Sequence, residues 1–405
     1  MEPLDSAPRL LLVLPQLPQD PSSGAARSCT TICEMLAGAG FTVRALATTA
    51  IERRGHENGR QWLEYDGFAP TAHKAAKRDG LRPELTFESR GVSYRLLDSG
   101  AMDLLDWPKL YNRQFDLLFD DELKRFQPDL IFTYGGLPGD VRHRQRARRQ
   151  GIRVVFGLRN LSYLVPGALD DCDAVLACSE FVVRKYRDTV GIESTALPLP
   201  MDMDDVRADE REPIFVTMVN PSLEKGVFFF ARMAEEISIR RPTIALLAIE
   251  SRGSAGLLAR AGLAGGFDLR RHENIMVSPP VPKPRDIYAC TRVLVAPSIW
   301  EEPAGRVAAE AVINGVPPVV SDRGGLAETA NGAALVLPIP AEITMRTTAP
   351  PPAGAVAPWV ETIIRLADDE EFYRAASERA REAGRVYTPE ALTPRYVKFF
   401  EDALR

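Results

Sequence analysis

Two glutamates and a turn of small residues have the types and spacing of a ligand site. They lie in the stretch APSIWEEPAGRVAAEAVINGVPPVVSDRGGLAE, residues 296–328. Pro303 is expected to open an amphipathic helix, because proline suits the first helical position. The start of a helix presents unpaired N–H groups and a partial positive charge, so residues 304–307 could bind a diphosphate. Glu302 lies just before that helix, and Glu310 lies about two turns in, where a carboxylate can accept hydrogen bonds from a ribose.

Alternating strand and helix patterns surround this stretch and predict parallel sheets covered by helices. Runs typical of buried strands lie at 9–15, 41–46, 129–133, 154–157, 174–177, 214–219, 243–249, 275–277, 293–295 and 316–320. Helical patterns lie at 28–39, 108–126, 360–384 and 389–404. The Pro- and Thr-rich stretch 341–358 is expected to be a flexible surface loop. The acidic, Pro-rich stretch 198–213 has no sustained period and is expected to be a hinge between two domains.

The order of a strand, a Pro-Ser loop, Glu-Pro-x-Gly, a second glutamate and a Gly-Gly turn resembles the nucleotide-sugar site of retaining GT-B glycosyltransferases of glycosyltransferase family 4. A Glu-x7-Glu spacing alone also fits a solvated helix face, whereas the full order is specific. The resemblance implies an α/β protein of the GT-B fold, with two Rossmann-like domains facing an interdomain cleft. It places an acceptor domain at 1–200, a donor domain at 201–388 and, at 389–405, a C-terminal helix that crosses back to the first domain.

The resemblance also names donor residues. After the strand at 214–219, family members carry Gly-Arg-x4-Lys-Gly, whose arginine and lysine bind the donor diphosphate. Here Lys225 and Gly226 match, while Asn220 stands at the arginine position and brings no charge. The resemblance implies catalytic roles for Glu302 and Lys225. It also implies that the loop at 278–284 binds the base of the nucleotide. It assigns donor binding to Asn220, Gly226, Ala304, Gly305, Arg306, Val307 and Glu310.

Acceptor residues are expected in the first domain. A small-residue turn follows the first strand, so the resemblance places Gly24, Ala25 and Arg27 at the cleft. Where relatives carry histidines after two later strands, this chain has Tyr134 and Arg159. Arg159 would bring a permanent cation that suits an anionic acceptor or the donor phosphates, and a structural salt bridge explains it equally well. The four histidines, none at a clear motif position, are His56, His73, His143 and His272.

A basic helical segment lies between the strands at 130–133 and 154–157. It carries Arg142, Arg144, Arg146, Arg148 and Arg149. Its arginines are expected to form a solvated outer face. Attraction to an anionic membrane or a phosphorylated acceptor would need an apolar face alongside, which the segment lacks.

Composition describes an ordinary globular protein of two domains. The chain has 405 residues, of which 45% are apolar and 26% charged, and its net charge of −5 argues against nucleic-acid binding. Its apolar runs are too short to span a bilayer, so a cytoplasmic protein is expected. The five cysteines show no paired metal-ligand spacing and are expected to pack in the core.

The resemblance implies transfer of a sugar, with retention, from a nucleoside-diphosphate sugar to an acceptor that the sequence does not identify. UDP is the expected nucleotide, and no metal ion or other cofactor is expected. Two alternatives stay open. The first is a GT-B-like scaffold that binds a nucleotide sugar without transferring it, which the departures at Asn220 and Arg159 allow. The second is a GT-B nucleotide-sugar epimerase.

Overall fold

The computed structural model describes residues 7–20, 23–52, 58–73, 81–100, 102 and 104–405. These residues divide into two compact units. The first comprises Met1–Pro200 with Pro389–Arg405, and the second comprises Met201–Thr388. Within the described residues, no helix is both long enough and apolar enough to cross a bilayer.

The first unit is built on one largely parallel sheet. Its strands are β1 (Arg9–Val13), β2 (Thr42–Thr48), β3 (Thr71–His73), β4 (Glu84–Ser89), β5 (Val92–Leu97), β6 (Leu130–Thr133), β7 (Arg153–Leu158), β8 (Ala174–Ala177) and β9 (Thr195–Ala196). The order across the sheet is β3-β4-β5-β2-β1-β6-β7-β8-β9, and only the β3-β4-β5 edge is antiparallel. The central strands β1 and β6 are continuous apolar runs because helices cover both faces of a parallel sheet.

Helices pack on both sides of this sheet. They are α1 (Gly24–Gly38), α2 (Gly59–Tyr65), α3 (Trp107–Leu110), α4 (Arg113–Arg125), α5 (Pro138–Arg149), α6 (Glu180–Val190) and, from the C-terminal end of the chain, α15 (Pro389–Leu404). Three side chains of α15 are buried in the core of this unit: Leu392, Tyr396 and Phe400. The hydroxyl of Tyr396 donates to the carbonyl of Pro198 at 2.9 Å, so the last helix is fixed to the first unit by packing and by a hydrogen bond.

The second unit contains a fully parallel sheet. Its strands are β10 (Phe215–Val219), β11 (Leu246–Ile249), β12 (Ile275–Ser278), β13 (Thr291–Ala296), β14 (Pro318–Ser321) and β15 (Leu335–Leu337), in the order β12-β11-β10-β13-β14-β15. Its helices are α7 (Met203–Val206), α8 (Val227–Arg240), α9 (Ala255–Ala264), α10 (Pro284–Cys290), α11 (Arg306–Ile313), α12 (Leu326–Thr329), α13 (Ala353–Asp368) and α14 (Glu370–Gly384). The predicted α/β fold with parallel sheets is therefore confirmed, while the interdomain cleft stays a prediction.

Both sheets reverse their strand order at one point. In the first unit β1 lies between β2 and β6, and in the second unit β10 lies between β11 and β13. In open α/β sheets, ligands bind outside the carboxyl ends of the two strands that flank such a reversal. The topology therefore selects the loops after β1 and β6 in one unit and after β10 and β13 in the other.

Several predicted boundaries were wrong. The helix predicted at 28–39 begins at Gly24, because Ser23 caps it by accepting the Ala26 N–H. The helix predicted at 360–384 is two helices, since Asp369 caps the second one. The stretch predicted as a loop to Pro358 becomes helical at Ala353.

The basic segment is helix α5, and its predicted solvated face was wrong for one arginine. Arg144 is buried, with 1% of its side chain exposed. Its Nη1 donates to the carbonyl of Gly135 at 2.7 Å, its Nε lies 3.0 Å from Asp171, and its guanidinium lies over the ring of Phe156. One side of helix α5 packs on the sheet, and Arg144 lies on that side. Because arginines occur on every side of this helix, the sequence does not show which of them is buried.

Candidate functional site

Lys225 and Glu302 meet where the strand order of the second unit reverses. Lys225 lies on the loop after β10, and Glu302 lies on the loop after β13. The Lys225 ammonium pairs with Oε1 of Glu302, and the hydroxyl of Ser298 donates to the same oxygen at 2.6 Å. Glu302 has 5% of its side chain exposed and Lys225 has 25%. The pair is thus a fixed carboxylate beside a cation that solvent can reach.

Glycines let the two loops approach each other closely. Gly226 has a φ of +83°, and a Cβ there would lie 2.0 Å from the carbonyl oxygen of Pro297. Gly324 has a φ of +73°, and its Cβ would lie 2.3 Å from the backbone nitrogen of Glu302. A side chain at either position would push the loops apart. The Lys-Gly and Gly-Gly motifs therefore serve backbone packing around the ion pair.

Helix α11 starts later than predicted. It begins at Arg306 with Gly305 as its N-cap, so Pro303 and Ala304 precede the helix. The reason is that the Glu302 backbone pairs with Gly324 as an isolated β-bridge and accepts the Gly325 N–H at 2.6 Å, which holds it extended. Gly305 offers no side-chain cap, so the first turn still presents backbone N–H groups.

Glu310 lies one turn into this helix and is buried. The hydroxyl of Tyr288 lies 3.3 Å from Glu310 Oε2 and 2.9 Å from the carbonyl oxygen of Val307. Arg306 approaches the other carboxylate oxygen at 3.5 Å. Burial, together with the neighbouring Glu310 carboxylate, raises the pKa of Tyr288 well above its ordinary value, so the phenol stays a neutral donor. Tyr288 was not predicted, since it lies in no recognised motif, and Ser298 was predicted only as part of the Pro-Ser loop and not as a donor to Glu302.

Asn220, which the resemblance implies binds the donor, also has a structural role in the loop after β10. Its backbone is left-handed, with a φ of +63°. Its side-chain oxygen accepts the N–H of Gly253 at 2.7 Å, which ties the loop after β10 to the loop after β11. Its side-chain amide nitrogen is the group left to donate to a ligand.

The first unit places its predicted residues at the equivalent edge of its own sheet. Gly24, Ala25 and Arg27 form the first turn of α1 rather than a loop. Tyr134 follows β6, and its buried hydroxyl has no hydrogen-bond partner among the described residues. Burial raises its pKa well above the ordinary value. Arg159 follows β7, and its three guanidinium nitrogens are buried and likewise without a hydrogen-bond partner in the described ranges. The nitrogens of the Arg159 guanidinium are therefore not exposed to solvent.

Among the residues that the structure describes, no three His, Cys, Asp or Glu side chains come together in a way that could hold a metal ion. Cys29, Cys33 and Cys178 are buried, as predicted, and all five cysteines are reduced. His56 lies outside the described residues. The other three histidines each form a side-chain hydrogen bond: His73 with Thr86, His143 with Asp116 and His272 with Glu235.

A comparison with known families identifies the second unit. Residues 202–383 match the family model described as glycosyl transferases group 1. The second unit carries a glycosyltransferase group 1 domain. That domain contains Lys225, Glu302, Glu310 and the start of α11, so the geometry above belongs to the part of the chain that the family model matches.

Solved structures support the fold of the whole chain. Sucrose-phosphate synthase from Thermosynechococcus elongatus is 16% identical over 98% of both chains, with a TM-score of 0.68. The Anabaena protein HepE in complex with UDP-glucose is 14% identical over 97% of this chain and 99% of its own, with a TM-score of 0.63. Starch synthase IV of Arabidopsis thaliana, bound to ADP and acarbose, is 12% identical over 98% of this chain and all of its own catalytic domain, with a TM-score of 0.68. Identities this low show the GT-B fold alone. No curated protein sequence matches the chain significantly.

Proposed function

We propose that this protein transfers a glycosyl group from a nucleoside-diphosphate sugar to an acceptor, with retention of configuration and without a bound metal ion. One observation carries the proposal. Lys225, Glu302 and the N-terminus of α11 meet at the strand-order reversal of the glycosyltransferase group 1 domain. A ligand at this position has a cation, a buried carboxylate and backbone N–H groups within reach.

The leaving diphosphate sets the main chemical demand. Negative charge grows on its phosphate oxygens as the bond to the sugar breaks. Cations and hydrogen-bond donors that are already positioned at these oxygens therefore lower the barrier. Lys225 offers an ammonium that is partly open to solvent, and residues at the start of α11 offer N–H groups and the positive end of the helix dipole. These groups would do the charge neutralisation for which a metal ion is used in other phosphate sites.

The two glutamates would hold hydroxyl groups. Glu302 is fixed through Oε1 by Lys225 and Ser298, so its position does not depend on the ligand. It would accept hydrogen bonds from the transferred sugar and stabilise the positive charge that develops at the anomeric carbon. Glu310, held by Tyr288 and Arg306, would accept from the ribose of the nucleotide.

The transfer step needs no separate general base. The bond between the anomeric carbon and the donor phosphate oxygen breaks, and the bond to the acceptor oxygen forms on the same face. The acceptor proton passes to the departing phosphate oxygen. We propose UDP as the nucleotide to test first and ADP second, because HepE is described in complex with UDP-glucose and starch synthase IV as bound to ADP.

Nucleotide release from a panel of UDP- and ADP-sugars, assayed in a chelator with and without candidate acceptors, tests the proposal. We expect release of the nucleotide in the chelator, and a product of retained configuration where the acceptor is accepted. A Glu302→Gln control should bind the donor but release much less nucleotide, which excludes a contaminating enzyme.

Three outcomes would contradict the proposal in different ways. Activity that disappears in the chelator and returns with Mg²⁺ would rule out the metal-free reaction. Tight binding without release across a broad acceptor panel would favour the scaffold. A changed sugar configuration in donor incubated alone would favour the epimerase.

A further inference from the structure

Trp300 has no role in the proposed transfer, yet it lies in the donor-site loop that follows β13. In the sequence it stands between Ser298 and Glu302. Its ring lies beside the Lys225 ammonium, with 5.9 Å between Nζ and the ring centroid. At such a distance the face of an aromatic ring attracts a cation. Trp300 is therefore a neighbour of the cation that would face the donor diphosphate.

Backbone hydrogen bonds hold the two loops together at this point. The N–H of Ile299 donates to the carbonyl of Glu224 at 3.0 Å. The carbonyl of Ile299 accepts a hydrogen bond from Arg323 Nη1 at 2.7 Å. The residue before the tryptophan is thus joined to the residue before the lysine. Since both loops are fixed there, the ring of Trp300 and the ammonium of Lys225 stay side by side.

Another tryptophan of the same unit shows what a purely structural role looks like. Trp359 is fully buried in the core, and its indole N–H donates to the carbonyl of Pro338 at 3.2 Å. The indole nitrogen of Trp300 is buried as well, yet it has no hydrogen-bond partner among the residues that the structure describes. An unpaired buried donor lowers stability, and a phenylalanine would carry no such donor. Packing alone therefore does not explain a tryptophan at position 300.

We propose that Trp300 is a positioning residue that holds the Lys225 ammonium in place for the donor diphosphate. Glu302 also holds this ammonium, but a carboxylate neutralises its charge and accepts one of its hydrogens. The face of an aromatic ring attracts the cation without bringing a negative charge, so N–H groups of the ammonium stay available for phosphate oxygens. Among aromatic rings that of tryptophan attracts cations most strongly, which gives a reason for this residue type despite the unpaired N–H. This role rests on the proposed function, since it presumes that a nucleoside diphosphate binds beside Lys225.

Calorimetric titration of UDP into the full-length protein and its variants tests this role, after thermal unfolding has shown that each variant is folded. Trp300→Leu should weaken UDP binding by about 2- to 30-fold, the range that cation–π contacts span between exposed and desolvated sites. Trp300→Phe keeps an aromatic face and should restore most of the affinity. In a Lys225→Ala background, Trp300→Leu should cause no further loss, because the ring has no ammonium left to hold. Trp300→Met, which also lacks a ring, replaces Trp300→Leu if that variant does not fold.

Trp62→Leu is the matched control. Trp62 lies on α2 of the first unit, and its buried indole nitrogen likewise lacks a hydrogen-bond partner within the described ranges, so this variant should bind UDP like the wild type. If the wild type binds UDP and Trp300→Leu binds it equally well, the role of Trp300 is wrong and the donor site stands. The role is also wrong if Trp300→Phe loses as much affinity as Trp300→Leu, or if Trp300→Leu weakens binding by the same factor with and without Lys225. If the wild type binds neither UDP nor ADP, the donor site itself is wrong, and this role falls with it.

Discussion

The two units share a reversal of strand order, but the polar residues at that reversal differ in how far solvent reaches them. Each reverses its strand order at the centre of a parallel sheet, and each places polar residues at the carboxyl ends of the flanking strands. In the second unit the polar groups are paired with one another and the Lys225 ammonium is partly open to solvent. In the first unit the guanidinium nitrogens of Arg159 and the hydroxyl of Tyr134 are enclosed by protein.

The difference shows that the position of a residue at a strand end does not by itself make it a ligand-binding residue. Fold and topology select where a site can form, and the side chains decide whether one does. In the second unit, glycines hold the loops close while charges stay within reach of solvent. In the first unit, Arg144 of α5 is buried and donates to the carbonyl of Gly135, and Asp140 is buried and accepts the N–H of Leu137, so both stabilise the local structure.

The largest effect expected from this contrast is on stability. Arg144→Ala removes a donor to the carbonyl of Gly135 and leaves the Asp171 carboxylate without its partner. Breaking a buried pair in this way commonly costs about 3–5 kcal/mol. Urea unfolding should show a loss of this size in the free energy of unfolding of the first unit.

Arg148→Ala is the matched control, because Arg148 lies on the same helix with 42% of its side chain exposed. It should change the free energy of unfolding by no more than about 0.5 kcal/mol. Equal effects of the two substitutions would mean that Arg144 is not part of the core.

A smaller effect should depend on pH. Burial raises the pKa of Asp140 to about 6 from an ordinary value of 3.8. The folded protein therefore holds this proton more tightly than the unfolded chain. The resulting stability is complete below about pH 3.8 and is lost as the pH rises through about 6. Asp140→Asn cannot ionise, so its free energy of unfolding should improve relative to the wild type by about 1–2 kcal/mol between pH 4.5 and pH 7.5.

Urea unfolding of both proteins at the two pH values checks this. Asp188→Asn, at a position with 64% of its side chain exposed on α6, is the control and should show no such change. A constant difference between Asp140→Asn and the wild type would show that Asp140 is ionised in the folded protein even at the lower pH.

The sequence predicted the fold well because its strongest signals are local. Strands such as β8 were placed at their observed bounds, since a continuous apolar run between turn residues has few other structures open to it. The Glu-Pro-x-Gly, Lys-Gly and Gly-Gly motifs marked the loops that meet at the reversal of the second sheet. Those motifs encode backbone geometry, and backbone geometry can be read from residue type.

Features set by distant contacts could not be predicted in this way. The start of α11 depends on a β-bridge between Glu302 and Gly324, which lie on different loops. The burial of Arg144 and Arg159 depends on which side of their elements faces the sheet. The bond from Asn220 to Gly253 joins loops that are 33 residues apart in the sequence, so the sequence showed only the missing charge at Asn220.

Calorimetric titration of UDP into wild-type protein and Lys225→Ala tests the central claim, that the donor binds at the strand-order reversal of the second unit. Thermal unfolding should first show that the variant is folded. Lys398→Ala, an exposed lysine on α15 of the first unit, is the matched control. We expect the wild type and Lys398→Ala to bind UDP equally, and Lys225→Ala to bind it about 10- to 100-fold more weakly, because the variant lacks the cation that faces the diphosphate. UDP binding of the same affinity in all three proteins would place the nucleotide elsewhere and contradict the claim.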